Sequence, residues 1–458
     1  MAKLQKFDLI VIGSGAGLDV ASAASENGLK TAVIEKGPLG GTCLNRGCIP
    51  SKMLIHSADV IETINNAKAF GIKVNGYKAD FSYIIKRTND TVDKDSAQIE
   101  RSLRRSKNPV LFKESCEFVG KKVIRVGNNE ITAKKILIAA GSRPTIPDIP
   151  GLNGSGFVTS TEALRLDKQP KTLTIIGGGY IAAELAHFYG SLGTKINIIH
   201  HNDLLINRED EEVASRFTKI ARLKYNIYTN SEPINVSKKN KIITVKIKNR
   251  ANNKTDTLES DALLVAVGVT PNSDTLNLNK TGVKTDAKGN VIANGYLETN
   301  VNGIYALGDL VGHYLFRHSA NLEAEIAYTN IFGSAKVLVD YTAMPHAIFS
   351  SPQIGSVGLT EQKLKEDGKD YIVGKEEYIN TAKGMAIEDR TGFVKFLVDR
   401  RTKKILGCHI LGTDASTLIH EAIVAMKSRK GTIDNITNAV HVHPALSEVV
   451  ARAAYNAR

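Results

Sequence analysis

The sequence predicts an α/β fold: two Rossmann-like domains, each built on a βαβ unit, joined to a smaller α+β domain. Three observations predict it. First, one unit occurs twice, as FDLIVIGSGAGLDVASAASENGLKTAVIEK from Phe7 to Lys36 and TLTIIGGGYIAAELAHFYGSLGTKINIIHH from Thr172 to His201. Second, the prolines of KKILIAAGSRPTIPDIPG mark the passage from one domain into another. Third, the pattern changes after about Asp340, where short strands (GFVKFLVD, KILGCHILG) accompany a long helix, Asp414 to Ser428. At roughly 100–200 residues per domain, the length of 458 suits three domains.

Each copy of the repeat reads as an apolar β-branched strand, a glycine turn, an alanine-rich helix and a second apolar strand. Parallel strands need such a crossover helix. Between the copies lies a helical stretch, roughly Pro50 to Arg105, followed by short strands. The second copy's region closes with DALLVAVGVTPNSD, and TNVNGIYALGDL follows. The implied domains are 1–145 with 271–341, then 146–270, then 342–458.

Composition excludes several classes. The net charge of +13 comes from scattered lysines and arginines, without a basic run or aromatic interleaving, so no nucleic-acid role is expected. No apolar run reaches the ~18 residues of a membrane span. The first strand lacks a cleavage site behind it, so a cytoplasmic protein is expected. Four cysteines are too few for a secreted disulfide scaffold. Cys116 and Cys408 sit in apparent strands and are expected to be inert.

The first turn, Gly13-Ser-Gly15-Ala-Gly17-Leu18, suits a dinucleotide. Gly13 permits the turn, and Gly15 lets a pyrophosphate approach the helix N-terminus. The third fingerprint position holds Leu18, with Gly17 beside it. Glu35 ends the next strand, where an acid grips a ribose hydroxyl. The second turn runs from Gly177 through Gly179 and Tyr180 to Ala182. At the place matching Glu35 stands His200, followed by His201 and, nearby, Arg208. No acid repels a 2′-phosphate there, and these cations would attract one, which favours NADPH over NADH.

The segment GGTCLNRGCIPSK, Gly40 to Lys52, is the most specific motif. Pro50 suits a first helical turn, which places Cys48 at a helix N-terminus. The dipole there favours a thiolate, and Lys52, one turn on, adds a cation. No second CxxC or HxxH pattern accompanies the pair, so no metal site is expected. Arg46, between the cysteines, reads either as a solvated charge or as a contact for an anionic substrate.

This segment resembles that of the flavin disulfide reductases, the class I pyridine nucleotide-disulfide oxidoreductases, and the resemblance spans essentially the whole chain. It implies that the domain holding Glu35 binds FAD, that the second binds NAD(P), and that the third is a dimerisation domain. TNVNGIYALGD, ending at Gly308 and Asp309, resembles the second FAD segment. LFRHSANLEAE, with His318 and Ala320, resembles the segment under the flavin, and Gly141 and Gly268 are further expected cofactor-binding positions. HVHPALSE resembles the terminal dyad, here His443 and Glu448.

The resemblance further implies a Cys43–Cys48 redox disulfide. Cys43 would exchange with substrate and Cys48 would face the flavin. Lys52 would pair with Glu184 near it, and Tyr180 would gate the nicotinamide pocket. His443 of the partner subunit, oriented by a glutamate, would be the acid/base, so a homodimer is expected. Within the family, dihydrolipoyl dehydrogenase-like activity comes first. NADPH-dependent reduction of a small-thiol disulfide, mycothione reductase-like, is the alternative, supported by stretches such as NDLLINREDEEVASRF and GTDASTLIHEAI. The chain shows no N-terminal metal-binding domain and no C-terminal cysteine pair, which argues against mercuric reductase. A flavin-dependent quinone reductase or oxidase that bypasses the cysteines is the alternative of another class.

Overall fold

The computed structural model describes residues 4–458. The chain forms two compact units. One comprises residues through Ser51, Ile85–Thr145 and Gly268–Tyr341; the other comprises Lys52–Ile84, Ile146–Val267 and Thr342–Arg458.

A seven-stranded sheet organises the first unit. Its centre is Gln5–Ile12, which pairs in parallel with Thr31–Ile34 on one side and Asn129–Ile138 on the other. Val110–Phe112 and Ile304–Ala306 extend the parallel part. Cys116–Gly120 and Val123–Val126 add an antiparallel meander. Leu9 to Ile12 and Thr31 to Ile34 are buried throughout, as strands covered on both faces must be. Helix Gly17–Glu26 supplies the crossover, burying Val20, Ala21 and Ala24.

The second unit holds a four-stranded parallel sheet in the order Asn226–Tyr228, Lys195–Ile199, Thr172–Ile176, Ala262–Val265. Helix Tyr180–Ser191 joins its two central strands. A three-stranded antiparallel sheet, Ser231–Lys239, Ile242–Asn249 and Thr255–Ser260, follows. The unit also contains a five-stranded antiparallel sheet in the order Pro345–Ile348, Ile354–Gly358, Ile405–Leu411, Phe393–Asp399, Tyr371–Glu377. Helices Ala415–Lys427 and Ser447–Tyr455 share a core with it through residues such as Phe396, Ile410, Ile419 and Val450. The predicted fold class is the one observed: two βαβ sheets and an α+β portion.

The helical stretch expected over 50–105 is interrupted. Helix Cys48–Asn66 ends in a 3-10 turn, Ala67–Phe70, and the second helix begins only at Phe81. Gly71 and Gly76 adopt φ of 75° and 89°, a left-handed backbone that breaks the helix. Among the described residues no helix is long and apolar enough to cross a membrane.

Candidate active site

The first glycine turn is built from close approaches. Gly13 has φ 104°, and a Cβ there would meet the Ala139 carbonyl oxygen at 2.2 Å. A Cβ at Gly17 would strike Val11 Cγ1 at 2.8 Å and Ala139 Cβ at 2.9 Å. Gly17, rather than position 18, therefore allows the helix to lie on the sheet. Gly15 faces open space, with nothing nearer to its Cβ position than 3.9 Å. Helix Gly17–Glu26 has no side-chain cap, and its positive N-terminal end favours an anion. Glu35 closes the mouth of the turn. Its carboxylate accepts from the Ser14 amide at 3.0 Å, the Ser14 hydroxyl at 2.8 Å and the Gly37 amide at 2.7 Å.

The cysteine segment runs directly against this turn: a Cβ on Gly41 would lie 2.7 Å from Gly15 Cα. A short helix the sequence did not suggest, Gly41–Arg46, carries Cys43, and the next helix starts at Cys48. Asn45 ties the segment down through its amide, which donates to the carbonyls of Leu39 at 2.8 Å and Gly41 at 2.9 Å. No disulfide joins the two cysteines, of which Cys48 is exposed and Cys43 half-buried. The hydrogen bond Cys43 makes with Cys48, aided by burial, holds the Cys43 thiol far above its ordinary range. Arg46 turns back toward the glycine turn, since its Nη2 lies 3.2 Å from a Cβ position on Gly37, beside Glu35. Burial pushes the Cys116 thiol up to about 12 and also raises the fully buried Cys408.

Gly308 and Asp309 form a 3-10 turn after strand Ile304–Ala306. Asp309 accepts from the Ser142 hydroxyl at 2.7 Å, and burial raises its carboxyl despite that bond. Ala320 lies against Gly308, whose Cβ position is 3.6 Å from it. His318 stacks on Phe316 at 5.4 Å. Gly141 has positive φ and open space at its Cβ position, as does Gly268. Arg317 was not anticipated. It stands 3.9 Å from the Gly15 Cβ position and 3.7 Å from Asp19, and its charge lowers the Cys43 thiol. Glu323 is also new: it accepts from the Gly308 amide at 2.6 Å.

In the second unit, Gly177 repeats the tight turn, with φ 118° and the Ala266 carbonyl oxygen 2.2 Å from its Cβ position. Gly179 faces open space, and helix Tyr180–Ser191 begins after it without a side-chain cap. Lys52 Nζ pairs with Glu184 at 2.8 and 2.9 Å. Glu184 also accepts from the Phe349 amide at 3.0 Å, and Lys52 lies 4.6 Å from the Phe349 ring centroid. Tyr180 donates to Glu209 at 2.5 Å.

His200 departs from expectation. It is 5% exposed, and its ring is pressed against the glycine turn, 2.6 Å from the Gly178 Cβ position. Burial, with His201 alongside, lowers its pKa and so disfavours the cation that a phosphate contact would use. Its ring nitrogens make no well-formed hydrogen bond, although Asn207 and the Leu204 backbone lie on its polar edge. His201 lies 4.8 Å from it, ring to ring, and both His201 and Arg208 are exposed.

His443 Nδ1 meets Glu448 Oε1 at 2.9 Å, and this bond lowers the Glu448 carboxyl. The His443 side chain is 69% exposed, presented outward. A second pair stands beside it: His441 Nε2 meets Glu421 Oε1 at 2.5 Å.

Two open glycine turns on uncapped helix N-termini fit two pyrophosphate-bearing dinucleotides, and the adjoining thiol pair fits two-electron exchange. The comparisons agree. The pyridine nucleotide-disulphide oxidoreductase family profile matches residues 7–327, and that family's dimerisation domain matches 344–454. Mycothione reductase of Mycobacterium tuberculosis is 32% identical, covering 98% of this chain and 99% of its own. Dihydrolipoyl dehydrogenase of Chlorobaculum tepidum is 35% identical, covering 99% and 97%. The Cu(II) complex of the HOCl-induced flavoprotein disulfide reductase RclA from Escherichia coli superposes with a TM-score of 0.88 at 27% identity, over 99% of this chain and 100% of that one. The chain belongs to the pyridine nucleotide-disulfide oxidoreductase family, whose members use FAD and a pyridine nucleotide.

Proposed function

We propose that this flavoprotein passes electrons between NAD(P)H and a dithiol or disulfide through Cys43 and Cys48, in the manner of dihydrolipoyl dehydrogenase. The observation that carries this reading is the Cys43–Cys48 thiol pair, set at a helix N-terminus against an open glycine turn. Residues 1–145 and 271–341 hold FAD through Gly13, Gly15, Gly17, Glu35, Gly308 and Asp309. Residues 146–270 hold the nicotinamide dinucleotide through Gly177, Gly179 and Tyr180, and 342–458 form the dimer contact. Bound FAD supplies the two-electron exchange between nicotinamide and the cysteine pair.

The thiol chemistry belongs to the chain's own residues. Cys43, once it gives up its proton, attacks one sulfur of a substrate disulfide. A Cys43–substrate bond forms, the substrate's sulfur–sulfur bond breaks, and the leaving thiolate takes a proton from His443 of the partner subunit. Cys48 then attacks Cys43, which forms the internal disulfide and expels the second thiolate. In the opposite direction the same steps oxidise a dithiol. Glu448 keeps a proton on Nδ1 of its own His443, leaving Nε2 to exchange protons.

A second reading, NADPH-fed reduction of a small-thiol disulfide, draws on one observation. The strand end matching Glu35 holds the buried His200 and no acid, with His201 next to it and Arg208 exposed further along the loop. Turnover of dihydrolipoamide with NAD⁺ against small-thiol disulfides with NADPH separates the two. Replacing either Cys43 or Cys48 with Ser should cut turnover on each by about a thousandfold or more. Full activity in either variant would leave only the quinone reductase or oxidase reading.

A further inference from the structure

One buried carboxylate in the second unit has no part in the chemistry above. The Glu209 side chain has 0% exposure, yet three donors converge on it. These are Tyr180 Oη at 2.5 Å, His346 Nε2 at 2.8 and 3.0 Å, and Ser356 Oγ at 2.8 Å. Burial pushes this carboxyl up, but the bonds from His346, Tyr180 and Ser356 outweigh it and hold it below the ordinary range. The Tyr180 ring also stacks on His346, at 5.8 Å and 13°.

Glu209 is itself fixed. Its carbonyl accepts from Gln362 Nε2 at 2.8 Å. The next residue, Asp210, caps helix Glu211–Lys224 and pairs with the buried Lys395 at 2.8 Å. Any displacement at this contact must therefore be made by the tyrosine. Tyr180 is the first residue of the helix that opens at Gly179, so a dinucleotide seated on that turn lies beside its ring.

We propose that Glu209 and His346 latch Tyr180, so that the nicotinamide end of a dinucleotide enters only when the Tyr180–Glu209 bond is broken. The proposal rests on the reading of Tyr180 as the gate of the nicotinamide pocket. The three-donor arrangement makes the latch reversible. When the phenol leaves, His346 and Ser356 still satisfy the carboxylate, so no buried charge is left unpaired. Opening gives up the charge-assisted hydrogen bond to Glu209 and loosens the stacking on His346, and the lost hydrogen bond alone weakens nicotinamide binding by about tenfold.

Calorimetric titration of the FAD-loaded protein with NAD⁺ and NADP⁺ tests this in the parent, Tyr180→Phe, Glu209→Gln and the double variant. Tyr180→Phe is expected to bind the preferred dinucleotide about tenfold more tightly. ADP-ribose and its 2′-phosphate, which lack nicotinamide, should keep their parental affinity. Glu209→Gln should act in the same direction, and the double variant should gain nothing further. Absence of tightening in Tyr180→Phe, or equal tightening toward the fragments, would overturn the latch. Tyr180→Phe removes only a hydroxyl, so it decides the matter even where Glu209→Gln folds poorly. Cysteine variants that kept full turnover would instead sink the proposed relay, a result that these binding curves do not touch.

Discussion

Asp309 carries a carboxyl that burial raises and the Ser142 hydroxyl only partly relieves. An acid with a raised folded pKa destabilises the fold increasingly as pH climbs past its ordinary value of 3.8. Without FAD, Asp309→Asn should therefore unfold at a higher temperature than the parent near about pH 7, with the gap narrowing as pH falls toward about 4. The same variant should bind FAD about tenfold or more weakly, measured by flavin fluorescence. Such a pairing marks a residue kept for its ligand. Arg317 acts on charge in another way. With Cys48 replaced by Ser, removing Arg317 should move Cys43 ionisation to higher pH, followed by thiolate ultraviolet absorbance. These two residues differ in how far the sequence revealed them. Asp309 stood in a recognisable segment. Arg317 sat in a quoted segment without a role, because only folding brings its guanidinium beside Gly15 and Cys43. Glu209 was hidden in the run REDEE, which reads as a solvated face. Its burial depends on His346 and Ser356, more than 130 positions away.

Both βαβ units were legible as elements because alternating strand, glycine turn and alanine-rich helix are local signals. The departures arose where packing chose between neighbouring residues. The fingerprint spacing pointed to position 18, yet Gly17 makes the close approach to Val11 and Ala139. Gly17→Ala should accordingly cost about 1–3 kcal/mol through overpacking, seen as a lower denaturation midpoint, whereas Leu18→Ala should cost less. His200 was expected as a phosphate cation because it matches Glu35 in sequence. Its ring instead folds inward onto Gly178, and burial lowers its pKa, against the cationic form. The break between helices Cys48–Asn66 and Phe81–Arg105 follows from Gly71 and Gly76, which a coarse helical pattern passes over.

For the whole molecule, the dimerisation domain and the outward-facing His443 raise the question of where that histidine acts. If it serves the partner subunit's cysteines, Cys43→Ser and His443→Ala should each be inactive alone. After mixing, unfolding and refolding together, mixed dimers should regain about a quarter of parental turnover, the share expected of one intact site in half of the dimers. No recovery would assign His443 to its own chain. The central claim, however, concerns the cysteine pair, and counting thiols tests it most directly. The oxidised, FAD-loaded protein is treated with NAD(P)H under anaerobic conditions, alkylated and mapped by mass spectrometry. Cys43 and Cys48 should be unlabelled before the nucleotide is added and labelled after it, while Cys116 and Cys408 stay constant. Flavin reduction without new label on Cys43 and Cys48 would contradict the relay.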